Sequence, residues 1–132
     1  MERVFVDTGG WFALVDSSDP AHRRAADWMD SNTLPLLTTD YVFDETVTLI
    51  RMELGHRIAV KFGEKLLASS MTQLASISPD DRNAAWQTFK RYRDQKLSFT
   101  DCSSFAVMRR FGIHRVLTTD HHFRVASFEV LL

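Results

Sequence analysis

Short apolar runs alternate with longer amphipathic stretches along this chain, and this pattern predicts strands and helices in turn. The apolar runs predict strands over residues 3–7, 34–38, 74–77, 115–119 and 127–131. Apolar residues at helical spacing predict helices between them, over residues 11–16, 20–32, 41–54, 56–66, 80–94 and 100–111. Because strands that alternate with helices are typical of a parallel sheet covered on both faces, we expect an α/β fold with a mainly parallel central sheet.

Turn and capping residues predict where several of these elements begin and end. Thr8-Gly9-Gly10 is typical of a turn after the first strand, and Asp19 with Pro20 is typical of a helix start. Thr100 is the expected cap of the last long helix, which Gly112 would close. Two of the helices are expected to pack inward through Ala25, Ala26 and Met29 and through Ala85, Phe89 and Tyr92.

The size and composition of the chain favour one globular domain over residues 1–132. The chain has 132 residues, of which 45% are hydrophobic and 25% charged, so it can bury a core and remain soluble. Its single cysteine, Cys102, excludes an internal disulfide framework and is typical of a reducing compartment. No apolar stretch approaches the roughly 20 residues of a membrane helix, and the first residues lack the pattern of a signal peptide. We therefore expect a cytoplasmic protein that does not enter a membrane.

Two aspartates follow predicted strands and are the first candidates for a functional site. Asp7 ends the first strand, and Asp120 follows the late strand that contains Thr118 and Thr119. Ligands of parallel α/β sheets bind beyond the carboxyl ends of the strands, where both side chains would project. The alternative for either residue is that a strand-end aspartate only caps a turn.

Glu45 is a third candidate because it interrupts an apolar stripe. Val42, Leu49 and Met52 form that stripe on one helix, whereas Asp44 lies on another face and is expected in solvent. A carboxylate that faces inward costs several kcal/mol unless it is paired or binds a metal ion. The alternative for Glu45 is a buried ion pair with an arginine.

Asp101 is the fourth candidate, at the start of a helix. An acidic residue there is favoured by the helix dipole, so Asp101 could serve only as a cap. Four carboxylates that converged without a cation would repel one another and raise their own pKa values. Hard cations such as Mg²⁺ or Mn²⁺ prefer oxygen ligands and resolve this conflict.

The chemistry that such a site implies is hydrolysis of a phosphodiester bond. The formal net charge is −1, so a polyanion must be met by a local basic rim or by bound cations. Metal ions at the carboxylates would neutralise them, contact a phosphate oxygen and lower the pKa of an attacking water. The sequence offers neither a Cys/His set for zinc nor a Gly-rich nucleotide loop.

Four segments that contain these acids carry a resemblance to a known family. In chain order they are Val4–Thr8, Thr39–Thr46, Leu97–Ala106 and Val116–Phe123. Together they resemble the PIN domain, and more narrowly the VapC-type toxins of toxin–antitoxin pairs. The resemblance spans essentially the whole chain. It implies a three-layer α/β/α fold, an Mg²⁺ or Mn²⁺ site, cleavage of RNA, a homodimer and a cognate antitoxin that blocks the acidic pocket.

The resemblance also implies roles for individual residues. Asp7, Glu45, Asp101 and Asp120 match the acidic quartet of the family, and all four are expected to be catalytic and metal-binding. Asp7 and Asp101 are expected to contact metal directly. Asp120 would act through water or a second metal ion, and Glu45 would bind a metal ion or orient the attacking water. The expected hydroxyl partners of these acids are Thr8, Ser103 and Thr118.

The sequence also allows two other functions, and it allows more than one role for several further residues. The same fold could cleave DNA, or it could bind RNA or protein without catalysis. His121 and His122 either contact substrate or metal or lie in a surface loop. The basic run 90–93 is either a solvated helix face or a rim for RNA, and Arg109 and Arg110 are explained by the dipole of their helix.

Overall fold

The computed structural model describes residues 2–132, and one parallel sheet of five strands organises them, in the order β3-β2-β1-β4-β5. The first residue of the predicted domain lies outside this range. The strands are β1 (Val4–Val6), β2 (Leu36–Thr39), β3 (Thr72–Ala75), β4 (Arg115–Leu117) and β5 (Glu129–Val130). The helices are α1 (Thr8–Val15), α2 (His22–Ser31), α3 (Asp40–Leu54), α4 (His56–Ala68), α5 (Pro79–Arg91), α6 (Phe99–Phe111) and α7 (His122–Val125).

The predicted parallel sheet and its three-layer arrangement are confirmed. β1 lies in the centre, where Phe5 pairs with Leu37 of β2 and with Val116 of β4. Its three residues are fully buried because helices cover both faces of the sheet, which explains why this strand is a continuous apolar run. The helices pack in pairs, α1 with α2, α3 with α4 and α5 with α6.

The predicted turn at Thr8-Gly9-Gly10 is wrong, because α1 begins at Thr8 and includes both glycines. Their lack of side chains serves a close approach between α1 and the end of β4. A Cβ on Gly10 would lie 2.2 Å from the carbonyl oxygen of Leu117, and one on Gly9 would lie 2.6 Å from Oγ1 of Thr119. The glycines therefore let the start of α1 lie directly against the segment that leads to Asp120.

Two predicted helix starts are also displaced. Asp19 caps a turn by accepting a hydrogen bond from the backbone N–H of Ala21, and α2 begins only at His22. The cap of α6 is Ser98 rather than Thr100, because Ser98 Oγ accepts the N–H of Asp101 while the Asp101 carboxylate accepts the N–H of Ser98. Gly112 closes α6 in the left-handed conformation, as predicted (φ 67°).

Two apolar side chains that were predicted to face inward are exposed, so that prediction is wrong for Phe89 and Met52. Phe89 is 42% exposed, and α5 instead buries Asp81, Ala85 and Thr88. Met52 is 74% exposed near the end of α3, so the apolar stripe around Glu45 is shorter than predicted. Helical spacing alone could not identify either exposed side chain, because the neighbouring helix and not the helix itself decides which turn is covered.

Arg109 and Arg110 make specific contacts beyond the helix dipole. Arg110 donates to both carboxylate oxygens of Asp81, at 2.9 and 2.7 Å, and so joins the end of α6 to the start of α5. Arg109 donates to the carbonyl of Ala126 at 3.4 Å. Across residues 2–132, no helix combines the length and the apolar character needed to cross a membrane.

Candidate functional site

The four predicted acids sit on four different elements whose ends meet at the carboxyl edge of the sheet. Asp7 follows β1 and is the N-cap of α1, and Asp120 follows β4. Glu45 lies in the second turn of α3, which begins directly after β2, and Asp101 lies in the first turn of α6. Electrostatic interactions link Asp7 with Asp101 and Glu45, and link Asp101 with Glu45 and Asp120. The fold therefore brings all four carboxylates together.

Asp7 is the most deeply placed of these acids. Its carboxylate accepts a hydrogen bond from Oγ1 of Thr118 at 3.0 Å through Oδ2, while Oδ1 is buried and has no hydrogen-bond partner among residues 2–132. Burial, together with the negative charges of Asp101 and Glu45, raises the pKa of Asp7 from its ordinary value of 3.8 to about 7. A buried acceptor without a donor is unusual and calls for a missing partner.

Asp101 combines a structural role with a free oxygen. Its Oδ2 accepts the N–H of Ser98 at 3.1 Å in the capping box of α6, which fixes the orientation of the carboxylate and leaves Oδ1 outside the box. Burial, together with the negative charges of Asp120 and Glu45, raises the pKa of Asp101 to about 6. Capping explains the backbone contacts of Asp101, but it does not explain why three other acids lie around it.

Glu45 is held through a chain of hydroxyl groups. Thr8 donates to Oε1 of Glu45 at 2.6 Å, and Thr46 donates to the hydroxyl of Thr8 at 3.2 Å. The alternative of a buried ion pair does not apply, since no salt bridge of Glu45 occurs in the described part of the chain. Glu45 is half-buried, whereas Asp44 is exposed as predicted.

Asp120 occupies a tight loop that also positions a histidine. The N–H of Asp120 donates to Oγ1 of Thr118 at 3.0 Å, so this threonine joins Asp120 to Asp7. The Oδ1 atom of Asp120 accepts the N–H of His122 at 2.9 Å and lies 2.8 Å from Nδ1 of its ring. One ligand atom from each of Asp101, Asp120 and His122 lies within 4.8 Å of the others.

Some residues that support the acids were not predicted from the sequence, and the predicted role of one residue is wrong. Thr46 and Ser98 were not predicted, and each contacts a predicted acid or its partner. For His122 the sequence left two alternatives open, and the structure places its ring beside Asp120. The expected partners Thr8 and Thr118 do contact acids, but Ser103 donates to the carbonyl of Thr100 in its own helix. The Ser98–Asp101 capping box could have been found from sequence, because a serine followed three residues later by an acid is its signature.

The arrangement fits a hard divalent cation. The donors are carboxylate oxygens, which Mg²⁺ and Mn²⁺ prefer, and the orphaned Oδ1 of Asp7 supplies a buried acceptor that a cation would satisfy. A cation would also remove the repulsion that, together with burial, raises the pKa values of Asp7 and Asp101. Cys102, by contrast, belongs to the core, where burial raises the pKa of its thiol to about 11 and leaves it unreactive.

A separate apolar cavity of about 450 Å³ lies between α1, α2, α4 and the β2–β3 side of the sheet. Trp11, Met29, Phe62 and Met71 are among its lining residues, and none of the four acids lines it. The four acids therefore lie outside this apolar cavity.

Comparison with known proteins agrees with this geometry. Residues 4–129 match the PIN domain family. The 23S rRNA-specific endonuclease VapC20 of Mycobacterium tuberculosis is 34% identical to this chain over 125 residues, which cover 95% of each protein. Ribonuclease VapC26 of the same organism is 25% identical over 123 residues, which cover 91% of this chain and 89% of the relative.

Solved structures give the same result for the fold. The crystal structure of M. tuberculosis VapC20, described as a toxin that cleaves the sarcin–ricin loop, superimposes with a TM-score of 0.90 at 33% identity and covers 95% of both chains. FitAcB from Neisseria gonorrhoeae superimposes with a TM-score of 0.72 over 96% of this chain and 95% of its own. Because its identity is only 16%, it supports the fold alone.

Proposed function

This chain belongs to the PIN domain family, and on that premise we propose that it is a metal-dependent endoribonuclease that acts as the toxin of a toxin–antitoxin pair. The observation that carries the proposal is the convergence of Asp7, Glu45, Asp101 and Asp120 at one edge of the sheet. The relative that covers 95% of the chain cleaves 23S rRNA, which supports RNA as the substrate class. The cofactor in this proposal is Mg²⁺ or Mn²⁺.

Each acid has a distinct part in the proposed reaction. Asp7 and Asp101 hold the cation directly, since each has an oxygen outside its hydrogen bonds with Thr118 and Ser98. Asp120 would hold it through water or at a second metal position. Glu45, which Thr8 fixes through Oε1, orients the attacking water with its other oxygen. When bound, the cation neutralises the phosphate and lowers the pKa of that water.

A basic rim supports binding of the RNA backbone. Phe99, two residues before Asp101, lies against Phe89 near the end of α5 at 6.1 Å between ring centroids. The end of α5 and the loop that follows it carry exposed cationic side chains at Lys90, Arg91, Arg93 and Lys96. These charges lie on the segment that leads into the site, so they can hold a polyanion although the net charge of the protein is −1.

We expect the purified protein to cleave RNA only in the presence of Mg²⁺ or Mn²⁺. The test substrates are a hairpin with the sarcin–ricin sequence of 23S rRNA, an unstructured RNA and the DNA versions of both. Because the relatives are named as ribonucleases, we expect cleavage of the RNA hairpin and none of DNA. Product analysis on denaturing gels, with EDTA as the control, measures this directly.

The other outcomes identify the alternatives. Cleavage of the DNA oligonucleotides at the rate of the RNA hairpin would favour a DNA nuclease with the same site. Divalent cations that neither bind in calorimetry nor support any cleavage would favour a non-catalytic binding domain. If cations bind and only the unstructured RNA is cleaved, the proposed reaction stands but the proposed substrate is wrong.

The proposed biological setting includes an antitoxin and a cytoplasmic location. The negatively charged cluster fits a partner segment with a basic side chain, and such a segment would block the site where the RNA phosphate binds. A ribosomal RNA substrate would be met in the cytoplasm. Growth arrest on expression of the wild-type chain, relieved by coexpression of a neighbouring antitoxin gene, tests this role separately from the chemistry.

We also propose that the protein is a homodimer that buries the exposed aromatic surface of α5. Trp86 and Phe89 are 48% and 42% exposed and stack on each other at 5.7 Å. An exposed aromatic pair of this kind is typical of an interface. We expect Trp86→Glu to convert the dimer to a monomer in light scattering after gel filtration, whereas Leu67→Glu on α4, at a side chain 60% exposed, leaves it dimeric. A wild-type monomer at micromolar concentration would contradict the proposal.

A further inference from the structure

His122 is a nitrogen ligand candidate beside the four carboxylates. Its Nδ1 lies 2.8 Å from Oδ1 of Asp120, and its ring is one of three groups whose ligand atoms all lie within 4.8 Å of one another, with Asp101 and Asp120. We propose that His122 supplies an imidazole nitrogen to a cation at the position where Asp120 would bind, beside Asp101, and that this ligand makes the site prefer Mn²⁺ to Mg²⁺. The inference rests on the proposed metal-dependent hydrolysis.

The loop holds the imidazole in place before any cation arrives. The N–H of His122 donates to Oδ1 of Asp120, and the N–H of Asp120 donates to Thr118, so the backbone from 118 to 122 is fixed by its own side chains. The next residue, Phe123, is fully buried and packs edge to face on Phe105 at 5.0 Å. A ligand that is already positioned loses little freedom when it binds.

A second observation points to a cation rather than to a simple turn. Oδ1 of Asp7 is buried without a hydrogen-bond partner among residues 2–132, and its carboxylate interacts electrostatically with Asp101. One ligand atom from each of Asp101, Asp120 and His122 lies within 4.8 Å of the other two, so the three side chains are near enough to share one cation.

The chemistry of the ligands predicts which ion gains from His122. Mg²⁺ prefers oxygen ligands and gives up its water reluctantly, whereas first-row transition ions such as Mn²⁺ accept an imidazole nitrogen in addition to carboxylates. A set of carboxylates alone would distinguish the two ions weakly. One nitrogen in the set therefore raises affinity for Mn²⁺ and contributes little to affinity for Mg²⁺.

Pulsed electron paramagnetic resonance of the Mn²⁺-loaded full-length protein tests the nitrogen ligand without reference to activity. We expect nuclear modulation from an imidazole ¹⁴N in the wild type and its replacement by ¹⁵N modulation after histidine labelling. The signal should persist in His121→Asn, a matched control because His121 is exposed and stacks on His122 at 4.9 Å. It should disappear in His122→Asn. A wild-type spectrum without imidazole nitrogen would overturn the inference, and this arm does not depend on whether the variant folds.

Calorimetric titration of the same proteins tests the metal preference. In His122→Asn we expect Mn²⁺ affinity to fall by about tenfold or more while Mg²⁺ affinity changes by less than about threefold. Equal losses for both ions would mean that His122 only positions Asp120, which contradicts the proposed ligand. Mn²⁺ binding without a nitrogen signal would refute this inference and leave the carboxylate mechanism intact. Absence of Mn²⁺ binding together with absence of RNA cleavage would refute both.

Discussion

Asp101→Asn is expected to lower the rate of RNA cleavage on the order of 10³-fold while the protein stays folded. The amide oxygen of asparagine can still accept the N–H of Ser98, so the capping box of α6 is retained. What the substitution removes is one negative charge beside Asp120 and Glu45 and with it much of the affinity for the cation. Single-turnover cleavage of the RNA hairpin at saturating Mn²⁺ measures the loss.

The chain offers a matched control for this variant in another helix. Asp81 holds the same position in the capping box of α5, where Ser78 is the cap, but it pairs with Arg110 and lies outside the acidic cluster. Asp81→Asn should therefore lower the free energy of unfolding and leave the cleavage rate unchanged. Asp101→Asn should instead retain the free energy of unfolding and lower the cleavage rate. A wild-type cleavage rate in Asp101→Asn would remove this residue from the site.

Asp81 and Asp101 show which part of the site can be predicted from local sequence and which part cannot. Both acids follow a serine by three residues at a helix start, and local pattern assigns both to capping. Only the topology separates them, because α6 begins at the sheet edge where Asp7 and Asp120 emerge. The alternation of strands and helices predicted that edge correctly, and the resemblance of four segments predicted which acids converge there.

The features that sequence did not predict depend on contacts between distant elements. Gly9 and Gly10 are typical of a turn by local preference, yet they lie in a helix because the end of β4 leaves no room for a Cβ. Met52 continues an apolar stripe on α3 but extends past the surface that covers that helix. His122 was one of two adjacent histidines in a loop, and only the hydrogen bonds of Asp120 determine which ring faces the acids.

Asp7→Asn is expected to stabilise the protein in the absence of metal, although it should abolish cleavage. Burial and neighbouring charge raise the pKa of Asp7 from 3.8 to about 7 in the folded state, so the folded protein binds this proton more tightly than the unfolded chain does. Stability from this group is therefore fully present below about pH 4 and is lost as the pH rises through about 7. At 1.36 kcal/mol for each pKa unit, the loss above pH 7 is about 4 kcal/mol at most.

Asparagine avoids this loss because it is neutral at every pH and can still accept the hydrogen bond from Thr118. In EDTA we expect Asp7→Asn to exceed the wild type by about 2–4 kcal/mol in free energy of unfolding at pH 8, and to match it at pH 4. Urea titrations at pH 4, 6 and 8 measure the difference. The wild type should lose stability steadily over this range, and the variant should lose less because only the other three acids remain.

Addition of Mn²⁺ at pH 8 should make the wild type more stable than Asp7→Asn, which reverses the order of their free energies of unfolding. A cation that binds the folded state alone stabilises it in proportion to its affinity, and that affinity is highest when the carboxylates are ionised. The wild type should therefore gain stability with Mn²⁺ at pH 8 and little at pH 4, whereas Asp7→Asn should gain little at either pH. If the metal-free wild type were as stable as the variant at pH 8, Asp7 would not carry the buried, unpaired charge on which the cation site depends.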